Sequence, residues 1–93
     1  MVIGIVELEL ILPGNDSLKG KRMRIKRLVA RMRNTFNVSV AEVDDQDRRR
    51  CAVVAVVHVG SDRRRVNRVL SNVVNFTERF HDLELVDYRL ELL

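Results

Sequence analysis

The chain has 93 residues, of which 46% are hydrophobic, a length that suits one compact domain with a single core. Its net charge of +4 and pI near 10.0 favour phosphate-rich or acidic partners. The single cysteine excludes an intramolecular disulfide, and no apolar run approaches the roughly 20 residues of a membrane-spanning helix. We therefore expect a soluble, cytoplasmic protein with one domain over residues 1–93.

The first predicted element is a strand over residues 2–12. Apolar residues occupy its even positions, and Glu7 and Glu9 fall between them, which is the period-two pattern of a half-buried strand. The acidic residues and the lack of a basic leader distinguish this segment from a signal peptide. A Pro-Gly-Asn turn at residues 13–15 ends the strand.

A helix follows, because Asp16 or Ser17 can cap its amino terminus and apolar residues then recur at helical spacing. These apolar residues are Leu18, Ile25, Leu28, Val29, Met32 and Phe36. Gly20 predicts a frayed or irregular first turn, since glycine costs a helix about 1 kcal/mol relative to alanine. The segment from Ser17 to Asn37 also contains eight basic residues and no acidic one.

Two strands come next in the chain. Residues 37–43 are β-branched and alternating, whereas residues 50–59 form an almost continuous apolar run, typical of a central strand covered on both faces. Between them lies the sequence DDQDRRR at residues 44–50. This composition predicts a polar hairpin loop that is ordered partly by its own ion pairs.

A second helix and a final strand complete the pattern. Ser61 or Asp62 can cap the helix, and its core stripe comprises Val66, Val69, Leu70, Val73, Phe76 and Phe80. In the strand at residues 83–92, charged residues alternate with Val86, Tyr88, Leu90 and Leu92. The order βαββαβ predicts an α+β, ferredoxin-like fold: a four-stranded antiparallel sheet with both helices on one face and the first and third strands central.

The basic residues of the two helices form the candidate functional surface. On a helical wheel they lie on the flanks and outer side of each helix, and adjacent helices would merge them into one cationic face. Such a face binds phosphate backbone by releasing counterions, without reading sequence. The predicted basic set comprises Lys19, Lys21, Arg22, Arg24, Lys26, Arg27, Arg31, Arg33, Arg64 and Arg68.

Two interpretations of this basic surface are open. An ordinary solvated helix mixes both charge signs to form i,i+4 pairs, so the absence of acid in the first helix favours a polyanion partner such as RNA or the ribosome. The alternative is that the basic residues only solvate the helices. The aromatics with which this fold commonly stacks bases on its central strands are missing, so RNA would contact helices or loops rather than the sheet.

The open side of the sheet supports a hypothesis of another class. Ile3, Ile5, Ile11 and one side of the third strand leave more apolar surface than a monomer normally exposes. A homodimer formed through the sheet, acting as a protein-interaction module, is therefore the alternative function that the sequence predicts. The competing explanation is that charged residues solvate this face, namely Glu7, Glu9, Asp87, Arg89 and Glu91.

The sequence contains no motif for catalysis, cofactor binding or metal binding. His58, His81 and Cys51 match no metal-ligand spacing, and the acidic loop lacks the glycine and distal glutamate of an EF-hand. A phosphate-handling loop at residues 15–22 is the enzymatic alternative, since helix amides can bind phosphoryl groups, but no nucleophile accompanies it. We expect a non-enzymatic protein without a metal or cofactor.

Two segments resemble a known family. SLKGKR with the following IKRL, and above all RNTFNVSVAEVDDQD, are similar to the YlxP-like family of small bacterial proteins. The resemblance covers nearly the whole chain and implies a ferredoxin-like fold with no assigned biochemical function and no catalytic residue. Such proteins are often encoded beside translation initiation and ribosome-maturation factors, which implies RNA or ribosome association through gene context. This chain departs from the family pattern after Asp47, where Arg48, Arg49 and Arg50 add positive charge.

Overall fold

The computed structural model describes residues 1–93 as a four-stranded sheet with two helices packed on one face. The strands are β1 (Val2–Ile11), β2 (Ser39–Asp44), β3 (Cys51–Gly60) and β4 (Glu84–Leu92), and the helices are α1 (Leu18–Thr35) and α2 (Arg63–Glu78). The strand order is β2-β3-β1-β4, and every neighbouring pair is antiparallel. The ferredoxin-like βαββαβ topology is therefore confirmed, with β1 and β3 central. Neither helix combines the length and apolar character needed to cross a membrane.

The core lies between the helices and one face of the sheet. Even-numbered residues of β1 and β3 pair across the strands and most of them are buried, as in the pairs Val6–Val56 and Leu8–Val54. α1 packs mainly over β2, whereas α2 packs over β1, β3 and β4. Gly4 lets α2 approach β1 closely, since a Cβ there would stand 2.5 Å from Leu70 Cδ1. Apolar burial in this layer is the main favourable contribution to folding.

Both helices begin at capping side chains that the sequence analysis considered. Ser17 Oγ accepts the N–H of Gly20 at 3.0 Å, and Asp62 Oδ1 accepts the N–H of Arg64 at 3.0 Å. The predicted irregularity at Gly20 is wrong, because α1 is regular from Leu18 onward. Glycine is required here for another reason: a Cβ would stand 2.5 Å from Oδ1 of the buried Asn15, which lies against the first turn.

Both edge strands contain a β-bulge. In β4, Leu85 pairs with Leu10 and the next residue, Val86, has no partner of its own. Leu85 therefore packs against the core while Val86 is exposed, which corrects the predicted alternation of β4. In β2, a second shift of register lies between Glu42 and Asp44.

Candidate functional site

Charge is divided between the two sides of the molecule. α1 carries eight basic residues and no acid, and α2 carries four basic residues with one acid, Glu78. The open sheet face consists of the odd-numbered residues of β1 and β3 with their cross-strand neighbours. It bears six acids against the single base Arg89, and these acids are Glu7, Glu9, Asp44, Glu84, Asp87 and Glu91. The helix layer is thus the cationic side of the protein, and the open sheet face is acidic.

The exposed basic residues of α1 form two rows beside its buried stripe. The inner row, Arg24, Arg27 and Arg31, lies on the side of α2. The outer row, Arg22, Lys26 and Arg33, lies beside β2, where Arg33 donates to the carbonyl of Val40 at 3.0 Å. Lys19 is exposed near the start of the helix. Most of the predicted basic set on α1 therefore faces solvent, as the helical wheel predicted.

Asp82 is the acidic residue that meets the inner row. Its Oδ2 lies 3.6 Å from the guanidinium of Arg27, and its backbone carbonyl accepts a hydrogen bond from Arg24 at 3.2 Å. The side chains of Arg27 and Asp82 are both well exposed, so this pair contributes little to stability. Arg31 forms no ion pair. Asp82 therefore offsets only a small part of the positive charge of the inner row.

Lys21 does not belong to the basic surface, which corrects its place in the predicted basic set. Its side chain is 2% exposed, and its Nζ lies 2.9 Å from Glu42 Oε2 on β2. The same ammonium donates to the carbonyl of Asp45 and to that of Arg48, the latter at 2.7 Å. Two backbone carbonyls thus accept hydrogen bonds from the ammonium, and the Glu42 carboxylate balances its charge, which is how a buried lysine is tolerated.

The loop at residues 44–50 is held through its backbone rather than through the ion pairs that the sequence predicted. Buried Asn15 donates to the carbonyl of Arg49 at 2.6 Å, and the Asn15 carbonyl accepts from Arg50 Nε at 3.0 Å. No aspartate of the loop forms an ion pair with its arginines. Arg48 and Arg49 are exposed and add positive charge near Asp16, at the amino-terminal end of α1.

Arg64 and Arg68 are exposed but lie far along the helix layer from the start of α1. β1 leads into α1 at the sheet end where Ile11 pairs with Cys51, and β3 leads into α2 at the opposite end. The two helices therefore run antiparallel, and Arg64 is nearer the carboxyl end of α1. The predicted basic set extends along the long axis of a molecule measuring 42 × 21 × 18 Å instead of forming one compact patch.

A groove of about 810 Å³ lies between the carboxyl-terminal halves of the helices. It contains Phe36, Phe76 and Phe80, which are all the phenylalanines of the chain. The ring centroid of Phe76 is 5.6 Å from that of Phe36 and 5.9 Å from that of Phe80. The remaining residues that line the groove are polar or basic: Arg27, Arg31, Asn72, Asn75, Arg79 and His81.

This inter-helix groove was not predicted from the sequence. Helical spacing assigned Phe36, Phe76 and Phe80 to the core stripe, and the structure does pack them against the core, but it leaves each partly exposed. Arg79 was outside the predicted basic set, although it follows α2 directly. One signal was available: all three phenylalanines occur near the carboxyl ends of helices, beside basic and amide residues.

The open sheet face is apolar where β1 begins, acidic around the middle of β1 and mixed at its far end, where Ile11 and Cys51 lie beside Glu84. Ile3 pairs with Val59 and Ile5 with Val57, and no element of the chain covers them. The run in β3 is therefore covered on one face only, which corrects the expectation of two. Glu7 and Glu9 follow along β1. Association of two copies through this face stays a prediction.

Comparison with known proteins gives a family and a fold. Residues 3–90 match the family model described as "Protein of unknown function (DUF503)". The chain is 34% identical over 90 residues to "Uncharacterized protein YlxP" of Bacillus subtilis (strain 168), an alignment that spans 97% of this chain and 98% of that protein. It is also similar to the structure of "De novo designed protein Foldit4", with a TM-score of 0.56, 12% identity and coverage of 100% of this chain and 97% of that one. The similarity to the designed protein concerns the fold alone.

Replacing Lys21 tests its structural role. Lys21→Met leaves Glu42 without its ion-pair partner and two loop carbonyls without their donor, so we expect it to lower the free energy of unfolding by about 3 kcal/mol in urea denaturation. Lys19→Met removes the same charge from an exposed position of α1 and is expected to change stability by less than about 0.5 kcal/mol. Equal stability of the two variants would contradict the role assigned to Lys21.

Proposed function

The chain belongs to the DUF503 family, described as proteins of unknown function, and we propose that it is a non-enzymatic RNA-binding protein that contacts the phosphate backbone through its helix layer. The observation that carries this proposal is the separation of charge between a cationic helix layer and an acidic open sheet face. RNA would be attracted to one side of the molecule and repelled from the other.

The energetics of α1 support a polyanion ligand. Basic residues stand four apart in both rows, as Arg27 and Arg31 do, and like charges at this spacing destabilise a helix by roughly 0.2–0.5 kcal/mol per pair. Lys21 and Arg27 are the only basic residues of α1 that form ion pairs. Phosphates placed along the rows would relieve this repulsion and release counterions.

Among possible RNA ligands, ribosomal RNA is the one that gene context favours. The gene context that the YlxP-like resemblance implies, beside translation initiation and ribosome-maturation factors, supports a cytoplasmic role near the ribosome. The backbone contacts proposed here carry no sequence information, so this choice rests on context and not on the basic rows.

The inner row provides a direct test of backbone binding. We expect the triple variant Arg24→Gln, Arg27→Gln, Arg31→Gln to weaken binding to a structured ribosomal RNA fragment at least about tenfold and to flatten its salt dependence, since each lost phosphate contact lowers the slope by about 0.7–0.9. Fluorescence anisotropy at several salt concentrations measures both effects. Arg89→Gln, on the open sheet face, is the control and should bind like the wild type. No binding by the wild type at low salt, or equal binding by the triple variant, would end the proposal.

Removing Asp82 is expected to have the opposite effect. Asp82→Asn takes away the carboxylate beside Arg27, so RNA affinity should rise about two- to fivefold, in line with the energy of an exposed ion pair. Asparagine tolerates the positive φ of 69° at this position, so the turn is retained. Glu9→Gln makes the same change in net charge on the open sheet face and should leave affinity unchanged in the same anisotropy titration. An equal gain in both variants would show that net charge alone matters.

A homodimeric interaction module is the second candidate function. It is favoured by the uncovered apolar end of the open sheet face, where Ile3, Ile5, Val57 and Val59 lie together. A two-fold dimer through these residues would leave the helix layers of both copies free. Light scattering over a range of concentrations is expected to show a mass approaching twice that of the monomer if this candidate is correct. A constant monomer mass would exclude it.

A further inference from the structure

We propose that the groove between α1 and α2 binds an unpaired nucleotide, so that the protein favours single-stranded over base-paired RNA. This inference rests on the RNA-binding function proposed above and gives it a specific site. The groove, at about 810 Å³, lies within the usual range for small-molecule sites of about 300–1,000 Å³. α1 packs over β2 and α2 over the other strands, so the space between their carboxyl-terminal halves is open to a ligand.

The phenylalanines supply a surface on which a base can stack. Phe76 contacts both Phe36 and Phe80, and all three rings are partly exposed. Proteins that bind single-stranded nucleic acid stack bases on aromatic side chains with little regard to sequence. In this chain the central strands contribute no aromatic residue, so the groove is the place where aromatic and basic side chains meet.

Basic and amide side chains at the groove match the rest of a nucleotide. Arg31 on α1 and Arg79 after α2 lie on opposite sides and form no ion pair, so either can meet a phosphate. Asn72 and Asn75 are exposed, and their side chains make no hydrogen bond within the protein. A carboxamide both donates and accepts hydrogen bonds, so it can pair with the polar edge of any base.

Base pairing prevents this mode of binding. A base inside a duplex is already stacked and paired, and bringing it into a pocket requires that it be turned out of the helix. The basic rows of α1 can contact the phosphate backbone of single-stranded or duplex RNA. The groove, in contrast, is accessible only to an unpaired nucleotide. Single-strand preference is therefore the property that separates the groove from general backbone binding.

Anisotropy titrations with a labelled oligoadenylate and with an RNA duplex of equal phosphate number test the inference. We expect the full-length wild type to bind the single strand about tenfold more tightly than the duplex, in line with the effect of stacking one base. Phe76→Leu, which keeps an apolar side chain, and the pair Asn72→Ala, Asn75→Ala should both lose this preference while duplex affinity is retained. Asn67→Ala, an exposed asparagine of α2 outside the groove, should behave like the wild type.

The outcomes distinguish the two proposals. Equal affinity of the wild type for the single strand and the duplex, or a preference that persists in the Asn72→Ala, Asn75→Ala variant, overturns the groove assignment and leaves backbone binding in place. Displacement of oligoadenylate by polyglutamate as efficient as displacement by unlabelled oligoadenylate also overturns it, because an acidic peptide offers no base to stack. Binding of neither RNA overturns the proposed function together with this inference.

Discussion

The buried ammonium of Lys21 is the constraint on which the basic surface depends. It joins three parts of the chain, since it lies on α1, pairs with Glu42 on β2 and donates to carbonyls of the loop at residues 44–50. Successive helical residues are separated by about 100°, so an inward Lys21 fixes the rotation of α1 about its axis. The inner and outer rows occupy opposite flanks of the helix because of this rotation. The buried Ile25, Leu28 and Met32 lie on the same side of α1, so the lysine and the apolar stripe together set the orientation of the rows.

The electrostatic asymmetry arises from two periodicities of side chains. In β1 a repeat of two residues places Glu7 and Glu9 on the open sheet face, while in α1 a repeat of 3.6 residues keeps bases out of the core. The net charge of +4 is smaller than the charge of the helix layer, because the acids of the open sheet face offset part of it. The field near the helix layer is therefore stronger than the net charge suggests, and such a field would orient the protein toward a polyanion before contact.

The fold was predictable because its local signals agree. Alternation in β1, the capping residues Ser17 and Asp62, and the apolar run of β3 each indicate the same topology. The role of Lys21 was not predictable, since a lysine on the inner side of a helix is satisfied only when Glu42 and the loop reach it through tertiary folding. The groove was missed for a related reason: helical spacing shows that Phe76 points inward but not whether the neighbouring helix covers it completely. Likewise, the bulge at Val86 depends on pairing between strands.

The two bulges have a consequence for how copies of this protein can meet. They lie in the same row of the sheet, since Val53 of β3 pairs with Glu9 on one side and with Asp44 on the other, next to the shifts in β4 and β2. A strand from another molecule needs an unbroken ladder of outward N–H and C=O groups, and a bulge interrupts that ladder and increases its twist. Lateral growth into fibrils is thus hindered at both edges.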